Sequence, residues 1–168
     1  MLKIGDKIMY GAGGVMTIVD IREESISDVS RSYYVLRPTL TKSESLTFVP
    51  TDNEKLVSAM RPLLSKEEIM ELIHYSKTAE PCQWVNENRA RQDRFKKIME
   101  SGDRKQIISM IRAIDESAIR REAEGKKIFL SDENARAKAL KLLHSEISVV
   151  FDMPEEEVKV FVNKELTK

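Results

Sequence analysis

The sequence is poor in the side chains that perform chemistry. Its 168 residues include one cysteine, two histidines and one tryptophan. A single cysteine, Cys82, excludes an internal disulfide and is typical of a reducing compartment. A zinc site needs three or four Cys or His ligands at short spacing, which the chain lacks. No Asp or Asn is placed to orient His74 towards Cys82. We therefore expect no metal, no cofactor and no catalysis.

The sequence also lacks an excess of charge of either sign. Lys and Arg number 28 together, and so do Asp and Glu. Without a net field, any DNA contact must be local, or helped by a partner that holds the protein in place. No apolar run reaches the length of a membrane helix, and the N-terminus has no apolar segment of a secretion signal. We expect a soluble, cytoplasmic protein that neither enters a membrane nor binds a small-molecule ligand.

Residues 1–61 have the pattern of β-strands. The pattern predicts a weak edge strand over 2–10, a central strand over 15–21 that is apolar on both faces, and a polar connection over 23–31. Two further strands end at Pro38 and Pro50, and residues 56–60 form a candidate fifth. Gly11 to Gly14 is expected to be a hairpin turn and not a phosphate loop, because β residues and not a helix follow it. These features predict a small antiparallel β domain of the Tudor/SH3-like kind.

The spacing of apolar residues changes to a helical period after Ser65. Ser65 and Glu68 form a predicted capping box, and a later helix is expected to stop at Ser101-Gly102. Further helices are expected to begin at Asp103, Ser131 and Pro154. The buried stripe of the helix after Ser131 is predicted to be Ala135, Ala139, Leu140, Leu143, Ile147 and Val150. Residues 62–168 are thus predicted to form a compact helical bundle, which makes the chain an α+β protein with the β domain first.

The one tryptophan, Trp84, stands where a loop is predicted to enter a helix. The first turns after it carry almost no apolar residues, but they include the cationic Arg89, Arg91 and Arg94. A large flat ring beside cations is what a nucleic-acid wedge or stacking platform requires. The alternative is a hydrophobic staple, in which Trp84 packs on its own helix or on a neighbouring one. The residue pattern alone leaves both open and favours the staple.

Three blocks of sequence, in their order and spacing, carry a resemblance to a known family. They are IGDKIMYGAGGV near the start, YYVLRP followed by LTFVP, and EPCQW followed by a helix and Ser101-Gly102-Asp103. With these blocks, the whole chain resembles the CarD-like (CdnL) family of bacterial transcription regulators. Its β domain is also similar to the polymerase-interaction module of transcription-repair coupling factors, although the chain has no helicase motif.

The resemblance implies a protein with two binding surfaces. The β domain would bind the protrusion/lobe region of the RNA polymerase β subunit through an exposed strand edge. The helical domain would contact promoter DNA at the upstream fork of the melted bubble, with Trp84 wedged into the minor groove and Arg89, Arg91 and Arg94 on phosphates. The residues implied in polymerase binding are Ile21, Glu24, Arg37, Phe48 and Pro50.

The chain departs from the family pattern in two places. Glu24 and Phe48 stand where a characterised member of the family has polymerase-contacting arginines, and residues 85–88 are less basic than the family is after its tryptophan. The first departure predicts either a more apolar polymerase contact or a partner surface that has changed in step. The second predicts a weaker phosphate grip. Two other functions stay open: a protein-interaction adaptor with Trp84 as a structural staple, and an autonomous DNA-binding protein. The latter is disfavoured by the absent positive charge.

Overall fold

The computed structural model describes all 168 residues, which form two compact units, residues 1–63 and residues 64–168. The first unit holds a five-stranded sheet and one short helix, and the second holds five helices. The predicted α+β architecture, a β domain followed by a helical one, is confirmed. None of the helices is both long and apolar enough to span a bilayer.

The sheet of the first unit is antiparallel throughout. Its strands are β1 (Lys7–Tyr10), β2 (Val15–Ile26), β3 (Val29–Pro38), β4 (Thr47–Pro50) and β5 (Met60–Pro62), arranged in the order β4-β3-β2-β1-β5. The central position of β2 agrees with the prediction from its two apolar faces. The core cluster of the first unit consists of Ile8, Met16, Ile18, Leu36, Val49 and Met60.

Several predictions about the strands require correction. The first strand is an inner strand and not the predicted edge strand, because β1 pairs with β2 on one side and with β5 on the other. The first strand begins at Lys7 and not at residue 2, because Asp6 closes a turn in which its side chain accepts a hydrogen bond from the Lys3 N–H at 2.9 Å. Most of residues 56–60 belong to a short helix, α1 (Glu54–Ser58), and the fifth strand starts only at Met60. Asn53 caps this helix by accepting a hydrogen bond from the Leu56 N–H, a signal that the apolar pattern does not contain.

The connection between β1 and β2 is one 3-10 turn, Gly11–Gly13, which joins two antiparallel strands as a hairpin connection does. Gly14 follows it with φ of 82°, a conformation that favours glycine. No helix N-terminus follows, so the turn has none of the features of a phosphate loop.

The polar stretch 23–31 is not a loop, contrary to the prediction. It continues β2 and β3 to a tight turn at Ser27 and Asp28, whose φ values are 50° and 66°. On β2, only residues 15–17 pair with β1, and on β3, only residues 33–36 pair with β4. Residues 23–32 therefore form a two-stranded ribbon without a further strand partner, here called the hairpin arm. Because both of its faces are solvated, it has no apolar alternation to mark it as β.

The second unit contains α2 (Lys66–Ser76), α3 (Asn88–Ser101), α4 (Arg104–Ala123), α5 (Leu130–Phe151) and α6 (Glu155–Leu166). The predicted capping box at Ser65 is present, and Asp103 accepts a hydrogen bond from the Gln106 N–H at 3.2 Å. Gly102 ends α3 in the left-handed conformation, with φ of 66°. The prediction that Ser131 caps α5 is wrong: the helix starts at Leu130, and the Ser131 hydroxyl lies 3.0 Å from Asn88 Oδ1.

The buried face of α5 also differs from the predicted stripe. Leu142 is buried, whereas Leu140 and Leu143 are only half-buried. Glu146 lies in this face with 2% of its side chain exposed, paired to Arg104 through bonds of 2.6 and 3.1 Å. A second Glu146 contact comes from the Leu64 N–H at 2.9 Å. A paired carboxylate can occupy a core position that hydropathy assigns to an apolar residue.

Candidate functional site

Trp84 lies in the loop before α3 and is half-buried. Its ring packs edge-on against Phe95 of α3, with the centroids 6.3 Å apart and an interplanar angle of 60°. The Arg91 guanidinium lies 4.6 Å from the ring centroid, and that of Arg120 lies 6.0 Å from it. The ring is therefore held against its own helix while part of it stays exposed to solvent.

Arg91 is not a surface cation, and this corrects its expected role on DNA phosphates. Its side chain is 1% exposed. Its Nε and Nη2 donate to the two Asp132 carboxylate oxygens at 2.9 and 3.0 Å, and Asp132 is equally buried. Nη1 donates to the carbonyls of Val85 and Asn86, at 3.0 and 3.1 Å. Nη2 also donates to Asn88 Oδ1 at 2.8 Å, so each of the five N–H donors of the guanidinium has a partner.

Asp132 is the residue that sequence reasoning missed. The sequence places it in the first turn of α5, where a carboxylate already has an ordinary role with the helix dipole. In the fold it reaches α3, where its Oδ1 also accepts a hydrogen bond from Gln92 Nε2 at 2.7 Å. Arg91 and Asp132 stand 41 residues apart in the sequence, and no local pattern links them.

Arg89 and Arg94 remain candidates for contacts with phosphate. Arg89 is exposed in the first turn of α3, and Arg94 is half-exposed in the next. Neither side chain forms an ion pair. The nearby carboxylate of Glu87 is engaged with the backbone, because it accepts hydrogen bonds from the Ala90 and Arg89 N–H groups at 2.7 and 3.0 Å. These bonds lower the pKa of Glu87, so it stays charged at neutral pH.

Two further arginines reach the same region from the end of α4. Arg121 lies 3.9 Å from the ring centroid of Phe129, and Arg91 lies 5.3 Å from the same centroid. Together with the contacts of Trp84, this gives a continuous series of planar groups, here called the aromatic–arginine row: Arg120, Trp84, Arg91, Phe129 and Arg121. Arg120 and Arg121, at the two ends of this row, stand in the last turn of α4. In the sequence, a favourable interaction with the helix dipole is enough to explain them there.

Cys82, two residues before Trp84, does not form a reactive centre. It is half-buried, and its backbone N–H donates to the Ser109 carbonyl at 3.0 Å. Burial raises the pKa of its thiol, although nearby Arg94 acts in the opposite direction. The thiol is therefore protonated at neutral pH, whereas a nucleophile or metal ligand would need the thiolate.

Of the five residues implied in polymerase binding, four share one face of the sheet. Across β2, β3 and β4, Glu24 pairs with Arg31, Phe48 with Val35 and Pro50 with Tyr33. Arg37 belongs to the same face, because side chains two residues apart on a strand point the same way. We call Glu24, Arg37, Phe48 and Pro50 the outer face.

Ile21 lies on the opposite face of the sheet, where it pairs with Tyr34, which packs on the domain core.

Phe48 is the apolar centre of the outer face, with 42% of its surface exposed. Its ring meets Tyr33 edge-on at 6.2 Å and lies 5.8 Å from the guanidinium of Arg22. Arg22 in turn forms an ion pair with Glu24 at 3.7 Å. Glu24 and Phe48, the two positions that depart from the family pattern, therefore both contact Arg22. Arg22 is a sequence neighbour of Glu24, but only the pairing of the strands brings it close to Phe48.

Comparison with known families gives a match for the first unit. Residues 2–64 match the model of the CarD-like/TRCF RID domain, an RNA polymerase-interaction module that is not known as catalytic. No curated protein matches the chain significantly. The match supports the resemblance to CarD-like proteins over the first unit, which holds the first two of the three sequence blocks.

Proposed function

From the premise that the chain is a CarD-like protein with an RNA polymerase-interaction domain, we propose that it is a bacterial, cytoplasmic transcription regulator that stabilises or otherwise modulates the open promoter complex. The β domain binds the protrusion/lobe of the polymerase β subunit. The helical unit lies at the upstream fork of the bubble, with Trp84 in the minor groove. The observation that carries this proposal is that Trp84 is half-exposed while the buried Arg91 holds the backbone of the two residues after it.

The geometry of Trp84 suits a wedge. The ring contacts Phe95 and Arg91, so its position is defined before DNA arrives. A preformed apolar ring can enter a base step at a lower ordering cost than a mobile one. Arg89 and Arg94, with Arg120 at the end of the aromatic–arginine row, supply the cations for adjacent phosphates.

Tethering to polymerase explains how a protein without net charge can act on DNA. A second contact made by an already bound protein occurs at a high effective concentration, so the DNA surface needs little affinity of its own. Unstacking a base step costs a few kcal/mol, and polymerase has already opened the DNA in the open complex. A net contribution of ~1.4 kcal/mol to the open state changes its ratio to the closed state about tenfold.

The outer face and the edge of the sheet suit the polymerase contact. β4, which carries Phe48 and Pro50, is an edge strand, and an edge strand offers main-chain groups to a partner strand. Phe48 supplies an apolar anchor beside this edge, with Arg22 and Glu24 around it. Protein interfaces commonly combine aromatic side chains and arginines at the centre with a polar rim.

The test is the lifetime of the open complex formed by the cognate polymerase, measured with wild type and with Trp84→Ala, together with binding to the isolated β lobe. Tyr75→Ala serves as the control, because Tyr75 is another half-buried ring with a cation, Lys105, 5.0 Å from its centroid. We expect Trp84→Ala to shorten the lifetime several-fold, about 1 kcal/mol, while lobe binding is retained. Tyr75→Ala should change neither quantity. An unchanged lifetime with Trp84→Ala contradicts the wedge and leaves the polymerase tether as the only function.

A second candidate function is the protein-interaction adaptor, and the Trp84–Phe95 contact favours it. In that case the ring serves as a staple on α3 and the helical unit binds a protein. Trp84 is the only tryptophan of this chain, so a 5-hydroxytryptophan incorporated there, which is excited apart from the tryptophans of polymerase, separates the two functions in the complex. A change in emission when promoter DNA is added supports the wedge, and emission that is indifferent to DNA supports the adaptor.

A further inference from the structure

Arg91 uses all of its donors on the loop that follows Trp84, on the start of α3 and on α5. The carbonyls of Val85 and Asn86, the two residues directly after Trp84, both accept from Nη1. On the other side of the guanidinium, Asp132 receives two parallel bonds from Nε and Nη2. Arg91 therefore connects the loop that carries Trp84 to the first turn of α5.

The side chain of Asn88 closes the same network. Its Oδ1 lies 2.8 Å from Arg91 Nη2 and 3.0 Å from the Ser131 hydroxyl, which again belongs to α5. No buried side-chain polar atom of the chain lacks a hydrogen-bond partner. A fully satisfied buried network rigidifies the segments that it joins.

The cost of this arrangement indicates that it has a purpose beyond stability. Removing two charges from water is expensive, and well-packed apolar residues of similar volume often stabilise a fold equally well or better. A planar, five-donor group is justified where several acceptors must be held in fixed directions. Here those acceptors lie on both sides of the loop-to-helix junction, and the same guanidinium lies 4.6 Å from the Trp84 ring.

We propose that Arg91, oriented by Asp132, is a positioning residue that fixes the ring of Trp84 in the pose used against DNA. This rests on the proposed function of Trp84 as a wedge. Arg91 itself makes no contact with DNA. Its effect on the open complex passes entirely through Trp84, whose pose it sets before binding.

The experiment compares two arginine-to-lysine variants of the full-length protein. Arg91→Lys retains the charge but loses the fork that reaches two carbonyls and a carboxylate at once. Arg104→Lys is the matched control, because Arg104 forms the other buried pair of the helical unit, with Glu146. Two quantities are measured: acrylamide quenching and anisotropy of Trp84 in the free protein, and the lifetime of the open complex with polymerase.

We expect Arg91→Lys to increase the quenching of Trp84, lower its anisotropy and shorten the open-complex lifetime about three- to tenfold. Arg104→Lys should leave the emission properties and the lifetime at their wild-type values. In a Trp84→Ala background, Arg91→Lys should produce no additional shortening. This absence of a second effect is what distinguishes positioning of Trp84 from a general loss of stability.

Two results would overturn the proposal. One is wild-type quenching and anisotropy in Arg91→Lys, and the other is equal shortening of the lifetime with and without Trp84. If Arg91→Lys does not fold, Asn88→Ala takes its place, since it removes one acceptor and leaves the ion pair intact. Unchanged quenching in Asn88→Ala then contradicts the proposal.

Failure of the wedge itself gives a different pattern. In that case Trp84→Ala leaves the lifetime unchanged, while Arg91→Lys still increases the mobility of the ring.

Discussion

The hairpin arm and the Trp84 junction both carry charged residues on candidate binding surfaces, but they are held in place by different interactions. The arm is an antiparallel ladder whose ion pairs are exposed: Arg31 and Asp52 lie 3.3 Å apart with side chains 50% and 60% exposed. At the junction, Arg91 and Asp132 lie 2.9 Å apart with each side chain 1% exposed. Removing one partner of such a pair should therefore cost little stability in the arm, whereas at the junction it would leave a buried charge unpaired.

The difference has a functional meaning under the proposed function. A β-ribbon and a sheet edge recognise a partner largely through main-chain groups, so individual side chains can vary, as Glu24 and Phe48 do against the family pattern. A wedge acts through one ring, and a small displacement of that ring removes its effect. We therefore expect the junction to tolerate substitution far less well than the arm.

The largest expected effect is on stability at the junction. Asp132→Ala leaves the Arg91 charge buried without its partner, which should lower the free energy of unfolding of the helical unit by ~3–5 kcal/mol. Asp52→Ala, which breaks the exposed pair with Arg31, should cost only ~0–1 kcal/mol. Urea unfolding of the full chain, followed by circular dichroism, measures both. Similar costs for the two variants would remove the distinction between the regions.

A smaller effect is expected on polymerase binding at the outer face. Phe48→Ala should weaken binding to the β lobe about five- to tenfold, a loss of ~1 kcal/mol or slightly more. Ile21→Ala is a closely matched control, because Ile21 is 40% exposed and Phe48 is 42% exposed, but on opposite faces of the sheet. Titration calorimetry with the isolated lobe measures both affinities. A greater loss with Ile21→Ala would place the contact on the other face.

A still smaller effect is expected from the exposed cations near Trp84. Arg89→Gln should reduce the dependence of open-complex stability on salt by about one unit of the logarithmic slope, since one phosphate contact is lost. Lys141→Gln removes the same charge from an exposed position on α5 and should leave the slope unchanged. The measurement is the lifetime of the open complex over a series of salt concentrations. Equal changes in both variants would indicate a general field instead of a local contact.

The smallest expected effect concerns pH. Burial lowers the pKa of His144 in the fold below its ordinary value of 6.5, and Lys159 acts in the same direction. The unfolded chain therefore takes up the proton first, and the stability of the helical unit should decrease as the pH falls below 6.5 towards the folded pKa. His144→Gln should remove this share of the pH dependence in urea unfolding followed by Trp84 emission. The β unit contains no histidine, so its stability should show no pH dependence of this origin.

The sequence by itself determined the class of the fold and most helix boundaries. Helix ends are marked by hydrogen bonds between residues close in sequence, and the structure contains these predicted ones: Ser65 with Glu68, Asp103 with Gln106, and the stop at Gly102. The apolar faces of β2 likewise predict a central strand. These features are local, because each depends on residues a few positions apart or on the period of one element.

The sequence could not reveal the hairpin arm or the true role of Arg91. The arm is polar on both faces, and only pairing with the neighbouring strand shows that it is β. Arg91 has the same local pattern as Arg89, with which it was grouped as a DNA contact, yet one is buried and the other exposed. Only the tertiary structure decided which of the two arginines is buried. It brings the Asp132 carboxylate, 41 residues away, to the Arg91 guanidinium, where it takes the place of solvating water.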